Sequence, residues 1–192
     1  MRRRHKANAL LIDFDGVLRQ WDRPANPRHD EFLAAGLSWK LYVPAVTGVW
    51  TRAQWIDAIA AETGATAGEL SDWESYRGFI DDKVLALVRE VRAAGRPVAL
   101  CTNATDDLRD DLALLGVSDA FDAVVSSSEI GVHKPSREFF DAACGALGVP
   151  AKWCLFVDDT HRNVEGARAA GLSAMRWTSD ADIPYVRAAL DL

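Results

Sequence analysis

The sequence predicts an α/β fold, a parallel sheet covered by helices on both faces and carrying a helical insertion. Three observations predict it. Short, near-continuous apolar runs recur along the chain, which suits strands buried on both sides of a parallel sheet. The stretches between them repeat apolar residues at helical spacing and have the length of βαβ crossovers. One stretch, from Gly16 to about Ile80, breaks that rhythm and contains no strand-like run.

The first run, "ALLIDFDG", ends in Asp13 and Asp15. The irregular stretch then offers "PRHDEFLAAG", "TRAQWIDAIAAETG" and "TAGELSDWESYRG", three short helical patterns separated by Pro and Gly. We assign residues 17–79 to the insertion, over the sheet edge, and 1–16 with 80–192 to the core. "DDKVLALVREVRAAG" opens with acids and stops at Gly95, with Pro97 beyond, as a helix does. The second run, "PVALCTNAT", and the third, "DAVVSSSEIG", flank the helical "TDDLRDDLALLG". "KPSREFFDAACGALG" reads as a helix with Pro135 in a first turn that tolerates it. A fourth run, "WCLFVDDTH", a helix "DTHRNVEGARAAG" ending at Gly171, and a last run, "LSAMRWTSD", complete the alternation.

At 192 residues and 49% hydrophobic, the chain can bury a sizeable core. The net charge of −6 makes nucleic acid and anionic membrane poor partners and a small ligand the better one. Cys101, Cys144 and Cys154 fit no zinc spacing and read as reduced, buried thiols. The basic start, "MRRRHKANALLID", has too short an apolar patch for a signal peptide, and no run is long enough to span a bilayer, so the expected location is the cytoplasm.

Ligands of open parallel sheets bind outside the carboxyl ends of the strands. Asp13 and Asp15 end the first run, Thr102 and Asn103 the second, His133 and Lys134 follow the third, and Asp158 and Asp159 end the fourth. Strand alternation would put Asp13 and Asp15 on one side, where they repel unless a cation joins them. The set suits phosphoryl transfer, which needs a nucleophile, a cation, donors to the phosphate oxygens and an acid for the leaving group. Asp13 is the candidate nucleophile, through an aspartyl-phosphate. Asp13 and Asp158 together suit a hard cation that bridges carboxylate and phosphate, Mg²⁺. Asp15 is then the acid and base.

In this order, "DFDGVL", "CTNAT", "HKP" and "VDDT" resemble the four motifs of the haloacid dehalogenase superfamily of phosphohydrolases. The resemblance implies a Rossmann-like core with an inserted helical cap that closes over the site. It implies Asp13 as nucleophile, Asp15 as acid/base and, through its carbonyl, a metal ligand, Thr102 and Lys134 as phosphate binders, and Asp158 as a Mg²⁺ ligand with Asp159 auxiliary. Asn103 is a further substrate-binding candidate, and Asn163 is implied to be structural. The insertion resembles the subfamily I type, and the paired acids of "VDDT" a variant of it. The expected substrate is a small phosphorylated metabolite. A sugar phosphomutase and a noncatalytic phosphate- or Mg²⁺-dependent receiver are the alternatives.

Each motif is weak alone, since "VDD" also suits a helix N-cap and a single lysine is usually solvated. His5, His29, His133 and His161 show no ligand spacing, and His161 reads as a solvated helix end. Trp21, Trp39, Trp50, Trp55 and Trp73 are expected to build a core for the insertion rather than a ligand platform. Arg19, Arg28 and Lys40 are candidate anion contacts, and Cys101 is expected to be a small buried hydrophobe.

Overall fold

The computed structural model describes residues 7–22 and 26–192; the basic start with His5 lies outside them. Five strands, β1 (Ala9–Ile12), β4 (Val98–Thr102), β5 (Ala123–Ser126), β6 (Cys154–Asp158) and β7 (Ser173–Arg176), form one parallel sheet in the order β5-β4-β1-β6-β7. The chain builds outward from β1 to β4 and β5, then crosses back to lay β6 and β7 on the other side. That reversal leaves a crevice at the carboxyl end of β1, between β4 and β6.

Period-two alternation splits the sheet into two cores. Leu10, Ile12, Leu100 and Val157 pack with Val84, Val88 and Leu112 on one face, under helices α5 (Asp82–Ala93), α6 (Leu108–Leu114) and α10 (Ile183–Leu190). Leu11, Cys101 and Phe156 pack with Phe139, Phe140 and Ala167 on the other, under α8 (Arg137–Leu147) and α9 (His161–Ala169). Cutting the fully buried Phe140 to Ala is expected to cost about 3–5 kcal/mol, read as a lowered denaturation midpoint.

The stretch between β1 and α5 holds four helices with a core of their own: α1 (His29–Gly36), α2 (Trp39–Val46), α3 (Arg52–Thr63) and α4 (Ala67–Glu74) bury Phe32, Leu41, Ile56, Ile59 and Leu70. Thr51 and Thr66 each form a capping box, with Gln54 and Glu69, which sets where α3 and α4 begin. A short helix α7 (Ser127–Ile130) follows β5.

Five features depart from the sequence reading. α2 was not expected, because Pro44 sits inside it and its aromatic and β-branched residues hide the helical period. The stretch does contain strands: β2 (Arg19–Gln20) pairs antiparallel with β3 (Phe79–Ile80), two residues each and too short to show alternation. α10 adds a C-terminal helix that the reading left out. Pro135 lies ahead of α8, whose N-cap is Ser136, and follows a cis peptide bond after Lys134. The tryptophans divide. Trp50, Trp55 and Trp73 pack on the insertion's core, whereas Trp21 and Trp39 are exposed. Among the described residues no helix is long and apolar enough to cross a membrane.

Candidate active site

The carboxyl end of β1 carries Asp13 one residue past the strand, its N–H donated to the Val157 carbonyl of β6 at 2.9 Å. β6 delivers Asp158 at its own last position, fully buried. Lys134 enters between them, with Nζ 2.7 Å from Asp13 Oδ1 and 2.7 Å from Asp158 Oδ2. Two carboxylates thus share one ammonium in a buried setting. Burial, followed by the charge of Asp158, pushes the Asp13 carboxyl well above its ordinary range despite Lys134. For Lys134 burial works downward, but the two carboxylates outweigh it and hold the ammonium above the usual lysine value.

This cluster is locked from behind. Asn163 of α9 donates to both oxygens of Asp158 at 3.1 Å, and the Thr160 N–H donates to Oδ1 at 2.8 Å. Asn103 clasps the lysine backbone: Lys134 N–H donates to Asn103 Oδ1 at 2.7 Å, and Asn103 Nδ2 donates to the Lys134 carbonyl at 3.1 Å. The Asn103 side chain, a substrate-binding candidate from the sequence, thus lines the cavity while holding the Lys134 loop with its oxygen and one of its two amide hydrogens. α9 passes so closely beneath this loop that a Cβ on Gly166 would lie 2.6 Å from the Pro135 carbonyl oxygen. Gly166→Ala is expected to shift the loop and cost about 1–3 kcal/mol, seen by thermal melting.

Asp13, Asp158 and Asp159 offer oxygens that all lie within 4.8 Å of one another. Three carboxylate oxygens are a donor set for a hard divalent ion. Gly16, at φ +77°, makes room for the Asp159 carboxylate, with which a Cβ there would collide. Burial, with Asp158 adding to it, raises the Asp159 carboxyl. Thr102 is fully buried at the end of β4, and its Oγ1 has no hydrogen-bond partner. An orphaned buried hydroxyl costs on the order of 1–3 kcal/mol, which a ligand oxygen at this spot would recover.

Asp15 does not join the triad through its side chain. The strand has ended at Ile12, so alternation no longer governs it. Its carboxylate accepts from Arg19 Nε at 2.6 Å, from the same guanidinium's second nitrogen at 3.0 Å, and from Trp21 Nε1 at 3.0 Å. The two acids thus have separate cations, Lys134 for Asp13 and Arg19 for Asp15, which relieves the repulsion expected between them.

A cavity of about 600 Å³ joins these groups to the insertion, with Asp13, Asp15, Thr102, Lys134 and Asp159 at one end and His29, Trp55 and Trp73 at the other. Arg52 and Arg77 also line it, paired with Asp107 across the gap between insertion and core at 3.2 and 2.9 Å. Sequence reasoning missed both, since nothing local marks ion pairs spanning 55 and 30 residues. Of the other candidates, Arg28 is tied to Glu31 and Glu69, and Lys40 to Glu62, all away from the triad. His161 is exposed beside Glu165 at 3.7 Å. All three cysteines are free and buried, and burial pushes the Cys101 thiol up, as an inert core thiol requires.

Comparison with known proteins agrees with this architecture. The chain is 39% identical over 188 residues to a phosphatase of Mycobacterium tuberculosis, covering 87% of this chain and 85% of that one. It is 33% identical over 176 residues to the fructose-1-phosphate phosphatase of Escherichia coli, covering 86% and 94%. Among solved structures, a haloacid-dehalogenase-family enzyme of Bacteroides thetaiotaomicron in its magnesium complex superposes with a TM-score of 0.74 at 25% identity, over 90% of this chain and 94% of that one. The family model for haloacid dehalogenase-like hydrolases matches residues 7–171, from the start of β1 through every strand-end loop that bears the triad, and the chain belongs to that family.

Proposed function

We propose that this protein is a Mg²⁺-dependent phosphatase that hydrolyses a small-molecule phosphomonoester through an aspartyl-phosphate. The observation that carries the reading is that Asp13, Asp159, the buried Lys134 and the orphaned Thr102 hydroxyl line one cavity, with Asp158 buried behind them and completing the carboxylate cluster. Its phosphatase relatives support the class of reaction, and the magnesium complex of its structural relative supports the ion.

Asp13, Asp158 and Asp159, with the Asp15 carbonyl, would hold Mg²⁺, which when bound neutralises phosphate oxygens and orients the phosphorus. An Asp13 carboxylate oxygen attacks phosphorus while Asp15 gives its proton to the departing alkoxide. Thr102 Oγ1 and Lys134 Nζ hold the equatorial oxygens, and the backbone clasp from Asn103 keeps Lys134 in place. Asp15, now a carboxylate, takes a proton from the water that attacks the aspartyl-phosphate, and inorganic phosphate leaves with Asp13 restored. Two acids are needed because one must stay a nucleophile while the other moves protons. The insertion acts as a cap, limiting the water that reaches the site.

The test is phosphate release from p-nitrophenyl phosphate with Mg²⁺ and with a chelator. Release is expected with Mg²⁺ and background rates with chelator; equal rates would refute the metal's role. Mg²⁺ at a hundred times its Kd is also expected to stabilise the protein by roughly 2.7 kcal/mol, through binding to the folded state alone.

A further inference from the structure

Apart from Lys134, the cations that line the cavity have no positive charge to spare. Arg19 donates to Asp15 and, at 2.6 Å, to Asp111. Arg77 lies 2.9 Å from Asp107 and 3.3 Å from Asp111. Arg52 lies 3.2 Å from Asp107 and 4.0 Å from Glu74. Four carboxylates, Asp15, Asp107, Asp111 and Glu74, therefore face three guanidiniums. A second anion on the substrate could take a guanidinium only by stripping a part-buried carboxylate of its partner, which is costly. A like charge placed beside those carboxylates costs more.

Neutral recognition is in place there. Trp73 Nε1 lies 2.9 Å from His29 Nδ1. An indole nitrogen can only donate, so Nδ1 accepts and the ring proton sits on Nε2. His29 thus keeps one N–H donor, on a ring that lines the cavity together with Trp55, Trp73 and Tyr76. Aromatic walls with a few polar groups suit an alcohol that has both C–H faces and hydroxyls.

We infer that the cavity takes the phosphate ester of an uncharged, hydroxyl-bearing alcohol, with His29 Nε2–H donating to one of its hydroxyls, and discriminates against esters whose alcohol part carries a carboxylate or a second phosphate. This rests on the phosphatase reading above.

The experiment compares kcat/KM, with Mg²⁺, for matched esters: glycerol phosphate against phosphoglycerate, and a hexose monophosphate against the hexose bisphosphate, with p-nitrophenyl phosphate alongside. The uncharged member of each pair is expected to be favoured by about tenfold or more, since a misplaced like charge costs several kcal/mol. Equal or reversed preference, with the aryl ester still hydrolysed, overturns the inference and leaves the phosphatase reading intact. No release from any of the five overturns both. His29→Phe is expected to lower kcat/KM for the favoured polyol ester about fivefold more than for the aryl ester, the worth of one hydrogen bond. His29→Gln, which restores an N–H, is expected to recover part of that ratio. An unchanged ratio in a His29→Phe protein with wild-type circular dichroism would exclude His29 as the donor.

Discussion

Asp13→Asn is expected to abolish phosphate release, by about 10⁴-fold or more, and to leave the metal-free protein at least as stable as before. The activity loss follows from the role assigned to Asp13, because an amide oxygen is a poor nucleophile toward phosphorus and residues that act as a unit lose most of their effect when one is removed. The stability expectation follows from the charge count. Asp13 and Asp158 share Lys134, each 2.7 Å from its Nζ, in a setting where burial already raises the Asp13 carboxyl. Removing one carboxylate leaves Lys134 and Asp158 as a matched pair still held by Asn163 and Thr160. Phosphate release and a thermal melt in chelator check the two halves separately. Retained turnover would remove Asp13 as nucleophile, and a large drop in the melt would mean that its bond to Lys134 holds the fold together.

Lys134→Met is expected to do the reverse, losing stability together with activity. Met fills similar volume, so the change is mainly the lost charge. It leaves two buried carboxylates facing each other with no cation, and breaking a buried pair from one side costs about 3–5 kcal/mol. For a chain of this length that corresponds to a fall in Tm of roughly 10 °C. Added Mg²⁺ is expected to stabilise this variant more than the wild type, because the ion supplies the countercharge that the lysine no longer does. A variant that melts within about 2 °C of the wild type in chelator would show that the triad is solvated enough for water to screen it.

What the sequence made legible was what repeats or what sits at a strand end. The five parallel strands announced themselves as apolar runs, and the crossover rule then placed Asp13, Thr102, Lys134 and Asp158 at one edge before any contact was known. The paired strands β2 and β3 and helix α2 stayed hidden because two residues show no period and Pro44 argues against a helix. Side-chain commitments were also beyond reach. Asn103 was readable as a substrate-binding candidate, but not its clasp on the Lys134 backbone, 31 residues away. Arg19 looked like an anion contact and instead bridges Asp15 and Asp111. Such partners are chosen by packing between distant elements, which no local pattern records. The tryptophans were half legible: a small unit lacking material for a core does recruit Trp55 and Trp73, but both also line the cavity.

The pairing of β2 with β3 has a consequence for how this protein can change over generations. Arg19 sits opposite Ile80 and Gln20 opposite Phe79, so the chain leaves the sheet and returns to it at the same place. Whatever is spliced between those two points inherits a stem of fixed width, and its length and content can vary with no adjustment of β1 or α5. The proposed catalytic groups, Asp13, Thr102, Lys134 and Asp158, all lie outside that stem, while His29, Trp55 and Trp73 lie inside it. On the proposed roles, new alcohols would be tried by exchanging one contiguous block of the gene, with the reaction chemistry inherited unaltered.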